Sequence, residues 1–548
     1  MSGLLLRTRC GIGDVLAALP IAYALVEHGY EVNIEPEKTA HGKYANLVNE
    51  LPVLPLLDAK PPYDNIIDLT QNWNWADPRA LAEIHLEKFG IYEYSTPRTA
   101  MLQTPGRYKD LPAEYVVICG SGVSFAEAKR MTIAQMSAVR EAGRRIGFRT
   151  VLVGAEAGEN APVDIDLRGQ TTIGELCSIV AHARAVVSVD TGILHIAGAY
   201  NTPLIALMPH ATVGGQLAQY MPKIIICAST AAQVNSSAIE AAVVRIVRCA
   251  REKWCVVGPV RQPCGIHETG RIMAEATGVD YVPFEAHDGG LCVAEYHIAD
   301  IEPLHKYCKP ETTVLSLHRP DGIVIDQWAG SIFRSREAYR KYSNISRQAT
   351  YAPLHSAYLR PTPDTRTPGP LRLVWHGLVH THKGLKQIVD AWRIARQRVP
   401  DIELTLMGSI AAWWHDPEFN AWLSELSDPG LTVKTKLGGR TREELHEEFL
   451  QADIHIAFDS IDKEQSAVIP TVLGYGAPVI ISGSTAFDDT RGWCITSTRE
   501  GLAETILKLA SDEQVYNNYA KRAWLGAQYR QPELIARQYR AAIIQAQL

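Results

Sequence analysis

The chain reads as an α/β protein made of two tandem units, each built of Rossmann-like doubly wound domains. Three observations predict this. Short β-branched apolar runs alternate with helical patterns along most of the chain, as parallel sheets require. That alternation opens at residue 3 and restarts after Cys249, where KWCVVGPV and PCGIHETGRIMAEATG form a second strand, turn and helix. Finally, 548 residues exceed what one hydrophobic core usually supports. The expected domains span residues 1–110, 111–250, 254–360 and 370–548.

Composition narrows the class. A hydrophobic share of 46% with 21% charged residues is ordinary for a globular protein and argues against extensive disorder. The net charge of -6 gives no global attraction to phosphate polymers, although a local basic strip is compatible with it. The opening MSGLLLRTRCGIGD has too short an apolar run for a signal peptide, and no stretch reaches the length of a membrane span. A soluble, cytoplasmic protein without stable membrane insertion is therefore expected. The ten cysteines include no close CxxC pair, so neither a metal site nor a disulfide framework is expected.

Taken in order, residues 3–8 read as a strand, RCGIGD as a loop, DVLAALPIAYALVEHG as a helix and YEVNIEP as a strand. Gly11 and Gly13 are two glycines of the GxGxxG dinucleotide fingerprint, but Leu16 holds the third position, which disfavours a nicotinamide cofactor. The run NIIDLT continues this domain. TQNWNWADPRALAEIHLEKFGI then carries two tryptophans, which fit either stacking on a sugar or base, or burial. YVVICGSG is a strand running into a turn that contains Ser121, followed by Lys129 and Arg130, and TVLVGAE is the next strand.

The segment AVVSVDTGILHIAGAYNTPLIALM, residues 185–208, organises the first unit. It reads as strand, helix, strand, with Asp190, Thr191 and Gly192 at the switch into the helix and His195 one turn along. Free N–H groups and the positive end of the helix dipole make this a place for an anion such as a diphosphate. The same residues also fit a simpler description, an Asp190 cap and a packed His195. Residues 231–247 close the unit as a helix. Beyond them, TVLSLH and GIVIDQ read as strands, RSREAYRKY as a helix, and RPTPDTRTPGP as a linker.

Over about forty residues, DLRGQTTIGELCSIVAHARAVVSVDTGILHIAGAYNTPLIALM resembles the donor-binding region of family 9 glycosyltransferases, the lipopolysaccharide heptosyltransferase group. The resemblance extends over roughly residues 1–247 and implies the GT-B fold and a nucleoside-diphosphate sugar as donor substrate, with no further cofactor and no metal. By the same resemblance Asp14 of GIGD is the candidate general base, while Ser121, Lys129, Asp190, Thr191, Gly192 and His195 form the donor site. Asp14 fits a helix cap equally well. The acceptor domain is shorter than is usual in that family, so its acceptor is not carried over. A glycan or glycolipid precursor and a hydroxylated base in DNA both stay open.

LRLVWHGLVHTHKGLK and ADIHIAFDSIDKEQSAVIPTVLGYGAPVIISGS resemble the donor domain of family 4 glycosyltransferases. Gly377, Lys383 and Gly384 stand in register, but Leu378 replaces that family's arginine, and its two glutamates fall on Lys463 and Thr471, with Glu464 adjacent. The second-unit donor set is then Gly377, Lys383, Gly384, Glu464 and Thr471. The resemblances imply a glycosyltransferase, bifunctional if both units work. A non-catalytic nucleotide or sugar binder is the alternative.

Overall fold

The computed structural model describes residues 3–8, 11–36, 51–56, 63–69, 81–91, 102–121, 128–155, 160–209, 221–260, 265–296, 300–318, 320, 323–366, 369–410, 416–437, 440, 442–460 and 466–548. The chain is mixed α/β with several parallel sheets of Rossmann-like type, in two compact units. One unit comprises residues 1–254 with Arg347–Thr350 and Arg537–Leu548. The other comprises Cys255–Ser346 and Tyr351–Ala536. No helix among the described residues is long and apolar enough to cross a membrane.

The first unit holds two sheets. The smaller has three parallel strands in the spatial order Glu31–Pro36, Gly3–Thr8, Asn65–Asp68. The helix Ile12–Glu27 follows its central strand and buries one apolar residue after another from Val15 to Val26. The larger sheet runs Ile165–Asp166, Arg149–Leu152, Tyr115–Cys119, Ala185–Val189, Leu204–Pro209, Lys223–Ala228, all parallel. Every residue of Tyr115–Cys119 and Ala185–Val189 is buried, which is why these runs are continuous in apolar character where one-sided strands would alternate. The helices beside them start on reciprocal caps: Thr132 accepts from the Gln135 amide, and Thr172 from the Glu175 amide.

This strand order puts a topological switch point between Tyr115–Cys119 and Ala185–Val189. On one side the chain winds outward through Arg149–Leu152, and on the other through Leu204–Pro209. In open parallel sheets, ligands bind in the crevice beyond the carboxyl ends of the strands at such a point. The same logic applies to one sheet of the second unit, ordered Leu431–Leu437, Ile402–Ile410, Leu371–Leu378, Ile454–Ala457, Val479–Ile481, Ile495–Thr496. Its other sheet runs Tyr281–Pro283, Cys255–Gly258, Cys292–Tyr296, Thr313–Leu317, Gly330–Phe333, Ala349–Tyr351.

One expectation is corrected. The described residues of GIVIDQ, 323–327, form no strand: Ile325–Gln327 is a single 3-10 turn with Val324 exposed, and the strand beside Thr313–Leu317 is Gly330–Phe333 instead. A short apolar run without alternation carries no period to separate the two outcomes. The Pro- and Thr-rich stretch is held against the second unit, since the Arg360 amide donates to the Gly474 carbonyl (2.8 Å) and the Asp364 amide to the Gly476 carbonyl (3.0 Å). Proline-rich backbone is extended, and these amides are satisfied by a neighbouring turn where solvent would otherwise serve. Residues 37–50 and the tryptophan-bearing 70–80 lie outside the described residues.

His376 and His455 sit in the second unit's sheet against Phe449, with ring centroids 5.1 and 5.4 Å away. Burial pushes His376 down to about 4, helped by the cations Arg440 and Lys383. Burial likewise pushes His455 down to about 3, helped by His376. Below the ordinary imidazole value the unfolded chain takes up protons that the folded chain refuses, so stability is full above about pH 6.5 and falls on acidification. Urea unfolding between about pH 7 and pH 4.5 is expected to show this loss, and His455→Phe to reduce its slope. Equal slopes in the two proteins would mean that the buried ring does not drive it.

Candidate active site

The first unit's switch point, where a parallel sheet offers its ligand crevice, is bordered by two strand ends and two helix starts. Ala185–Val189 ends at Asp190, Thr191 is the N-cap, and the helix runs Gly192–Tyr200. It stops at Asn201, whose left-handed backbone (φ 53°) returns the chain to the next strand. The helix Ile12–Glu27 begins at Gly11, so Asp14 lies within its first turn and is not its N-cap.

The two helix starts pack on one another through glycine. A methyl group at Gly13 would lie 2.6 Å from Cδ2 of His195, and one at Gly192 would lie 2.9 Å from Cβ of Ile12. Each glycine therefore makes room for a side chain of the opposite helix. The consequence is electrostatic: two positive helix ends, each worth about half a charge, converge at the crevice. Asp14 and Asp190 stand at those two ends. At Gly11, a methyl group would meet the Asp14 carboxylate at 2.6 Å, so that side chain folds back over the start of its own helix.

Lys129 enters from the turn after Tyr115–Cys119 and pairs with Asp190, Nζ to Oδ2 2.8 Å, with both side chains largely buried. His195 lies within the field of both: burial lowers its pKa, Asp190 opposes that, and Lys129 reinforces it. The imidazole is thus neutral at pH 7, able to donate from one nitrogen and accept at the other. Thr191 does not cap the helix with its side chain. Its hydroxyl lies 3.2 Å from Ser188 Oγ and 3.5 Å from Cys119 Sγ, turned back on the strand ends. Burial holds the Cys119 thiol above its usual range, so it is not a thiolate nucleophile. Ser121 is exposed and bridges to Arg130.

The structure therefore gathers Gly13, Lys129, Asp190, Thr191, Gly192 and His195 in one place, with Asp14 next to Gly13 on the adjoining turn. Sequence reading did not single out Gly13 as the residue that admits His195, nor Cys119 beside Thr191. Cys119 was visible only as the last residue of an apolar strand.

In the second unit, Gly377 is the penultimate residue of the strand Leu371–Leu378 at its switch point, and Gly384 adopts a left-handed conformation (φ 65°) where a side chain would collide with the Phe458 carbonyl oxygen. Lys383 pairs with Asp459, Nζ to Oδ2 3.1 Å, and the Asp459 side chain is almost fully buried. Asp459 follows Ile454–Ala457 much as Asp190 follows Ala185–Val189, and that position is the signal that would have found it. Thr471 spends its hydroxyl on the Ala467 carbonyl of its own helix (3.0 Å), while Leu378 is partly exposed at 37%. Lys463 and Glu464 lie outside the described residues.

Residues 80–239 match the sequence model of glycosyltransferase family 9 (heptosyltransferase). That span contains Lys129, Asp190 and His195 but not Asp14. Lipooligosaccharide heptosyltransferase 2 of Haemophilus influenzae is 32% identical over 99 residues, which cover 16% of this chain and 29% of that protein. This chain thus spans less than a third of the curated relative it matches. Among solved structures, HepE of Anabaena in complex with UDP is 13% identical, with 52% of this chain and 98% of that one covered and a TM-score of 0.41. A glycosyl transferase family 9 protein from Veillonella parvula is 12% identical, with 44% and 97% covered and a TM-score of 0.34.

The glycine contact has a direct test. Gly13→Ala is expected to destabilise the first unit by about 1–3 kcal/mol, because His195 must move, although alanine is otherwise the better helix former. Gly106→Ala, where a methyl group meets nothing within 4 Å, is the control and is expected to change little. Thermal unfolding of the two variants checks this, and equal stabilities would show that His195 yields without cost.

Proposed function

We propose that the chain is a glycosyltransferase that moves a sugar from a nucleoside-diphosphate donor to an acceptor hydroxyl, with the donor's diphosphate in the first unit's crevice. The observation that carries this reading is the convergence of two helix N-termini and Lys129 on one crevice at a switch point. A diphosphate supplies the negative charge that such a place favours. The family 9 match over the surrounding residues supports the same class of reaction.

In this reading, Lys129 and the N–H groups at the start of Gly192–Tyr200 stabilise the negative charge that grows on the diphosphate as its bond to the anomeric carbon breaks. Asp190 holds Lys129 in position and limits the site's net positive charge before the donor binds. Neutral His195 offers a hydrogen bond without adding charge. Asp14 takes the proton from the acceptor hydroxyl as that oxygen bonds to the anomeric carbon. Charge neutralisation then comes from the protein itself, with the nucleotide sugar as substrate and no metal required.

The acceptor is a glycan or glycolipid precursor, or a hydroxylated DNA base, handled in the cytoplasm. The second unit adds a further sugar in the bifunctional form of this proposal. The Lys383 and Asp459 pair at its own switch point favours that form over a purely structural second half.

Two variants separate the roles. Asp14→Asn is expected to abolish transfer by the first unit while leaving nucleoside-diphosphate affinity nearly unchanged, because a base acts in the transition state. Lys129→Ala is expected to weaken nucleoside-diphosphate binding by about 1–3 kcal/mol, the scale of a lost charged hydrogen bond. Calorimetry and product mass check both. Wild-type turnover in Asp14→Asn would return that residue to a structural role, and unchanged affinity in Lys129→Ala would remove the lysine from the donor site.

A further inference from the structure

The second unit carries a thiol and imidazole cluster far in sequence from the residues discussed above. His287, Cys292 and Cys308 each place one potential ligand atom so that all three lie within 4.8 Å of one another, and all three residues are buried. Cys255 adds a fourth donor, its Sγ 3.8 Å from His287 Nδ1. The Nε2 of His287 is buried without a hydrogen-bond partner among the described residues.

Topology explains both why the sequence hid this group and what it can do. Cys255 and Cys292 are the first residues of adjacent parallel strands and are register partners. Thr313 opens the next strand, opposite Cys292, with Oγ1 3.4 Å from its Sγ. His287 lies in the loop that leads into Cys292, and Cys308 ends the helix Ile301–Tyr307. The four residues therefore meet at the amino-terminal edge of this sheet. Ligand-binding crevices form at the opposite, carboxyl-terminal edge, so the cluster is placed to brace the fold and not to meet a substrate.

We propose that His287, Cys292 and Cys308, with Cys255 as fourth ligand, bind one Zn²⁺ ion as a structural site. Thiolate sulfur and imidazole nitrogen are the donors zinc prefers, and a closed, buried set of four is the structural pattern. Zn–S bonds of about 2.3 Å and Zn–N bonds of about 2.0 Å set the edges of the tetrahedron near 3.5–3.8 Å. The His287 to Cys255 separation, a nitrogen–sulfur edge, is 3.8 Å, and His287, Cys292 and Cys308 lie within 4.8 Å of one another, so the donors must draw inward when the ion binds, Cys255 as the outermost. Each thiol that binds gives up its proton to solvent, and no electron is transferred. The ion would tie two strand starts to a loop and a helix end.

The test uses the full chain, purified without a chelator or a polyhistidine tag and kept reduced. Elemental analysis is expected to find about one zinc per chain, falling at least about tenfold in Cys292→Ser and in Cys308→Ser. Cys177→Ser, a buried cysteine elsewhere, is expected to keep the metal. Should the cluster variants fail to fold, Co²⁺ added to the chelator-stripped wild type provides the readout, with intense tetrahedral visible bands and thiolate charge transfer expected. Absence of zinc together with absence of those cobalt bands overturns the proposal. So does a thiol titration of the unfolded chain without reductant that finds two fewer than the ten cysteines, with peptide mapping that joins Cys292 to Cys308 as a disulfide.

Discussion

The first unit depends on two helix N-termini held against each other by reciprocal glycine contacts. Gly13 lies under His195 and Gly192 under Ile12, so a side chain at either position must displace a side chain of the other helix. Bringing two positive helix ends together is unfavourable by itself, and the acidic residues at those ends, Asp14 and Asp190, offset part of it. Lys129 then adds a cation that Asp190 already holds. The balance is poised to take up an anion, which links the packing of two short turns to the chemistry proposed for the crevice.

The second unit solves a similar problem with different parts. Lys383 and Asp459 meet beyond the ends of Leu371–Leu378 and Ile454–Ala457, and Gly384 in a left-handed turn lets the lysine's segment approach Phe458. Here the buried carboxylate pairs with the lysine and lies 3.8 Å from the His382 imidazole. The arrangement keeps the cation at the switch point while Leu378 leaves a neighbouring position apolar. Each unit thus joins a lysine to an aspartate at a switch point, although the surrounding residues differ.

Much of this was legible from local pattern. The strand, helix, strand reading of residues 185–208 holds because a continuous apolar run, a polar switch at Asp190 to Gly192 and a second apolar run are local signals. The partners of those residues were not legible. Lys383 and Asp459 are far apart in sequence, so only Asp459's place after an apolar strand hinted at it, and nothing near Cys292 points to Cys308, because the fold creates those contacts. GIVIDQ shows the same limit from the other side: its apolar residues suggested a strand, but the strand that pairs with Thr313–Leu317 is Gly330–Phe333.

A structure of the chain with a nucleoside diphosphate bound tests the crevice most directly. The predicted result is a diphosphate seated at the N-terminus of Gly192–Tyr200, with Lys129 Nζ and the first helix amides within hydrogen-bonding distance. A diphosphate bound elsewhere, with the Lys129 and Asp190 pair undisturbed and the helix start empty, would contradict the assignment of this crevice to the donor.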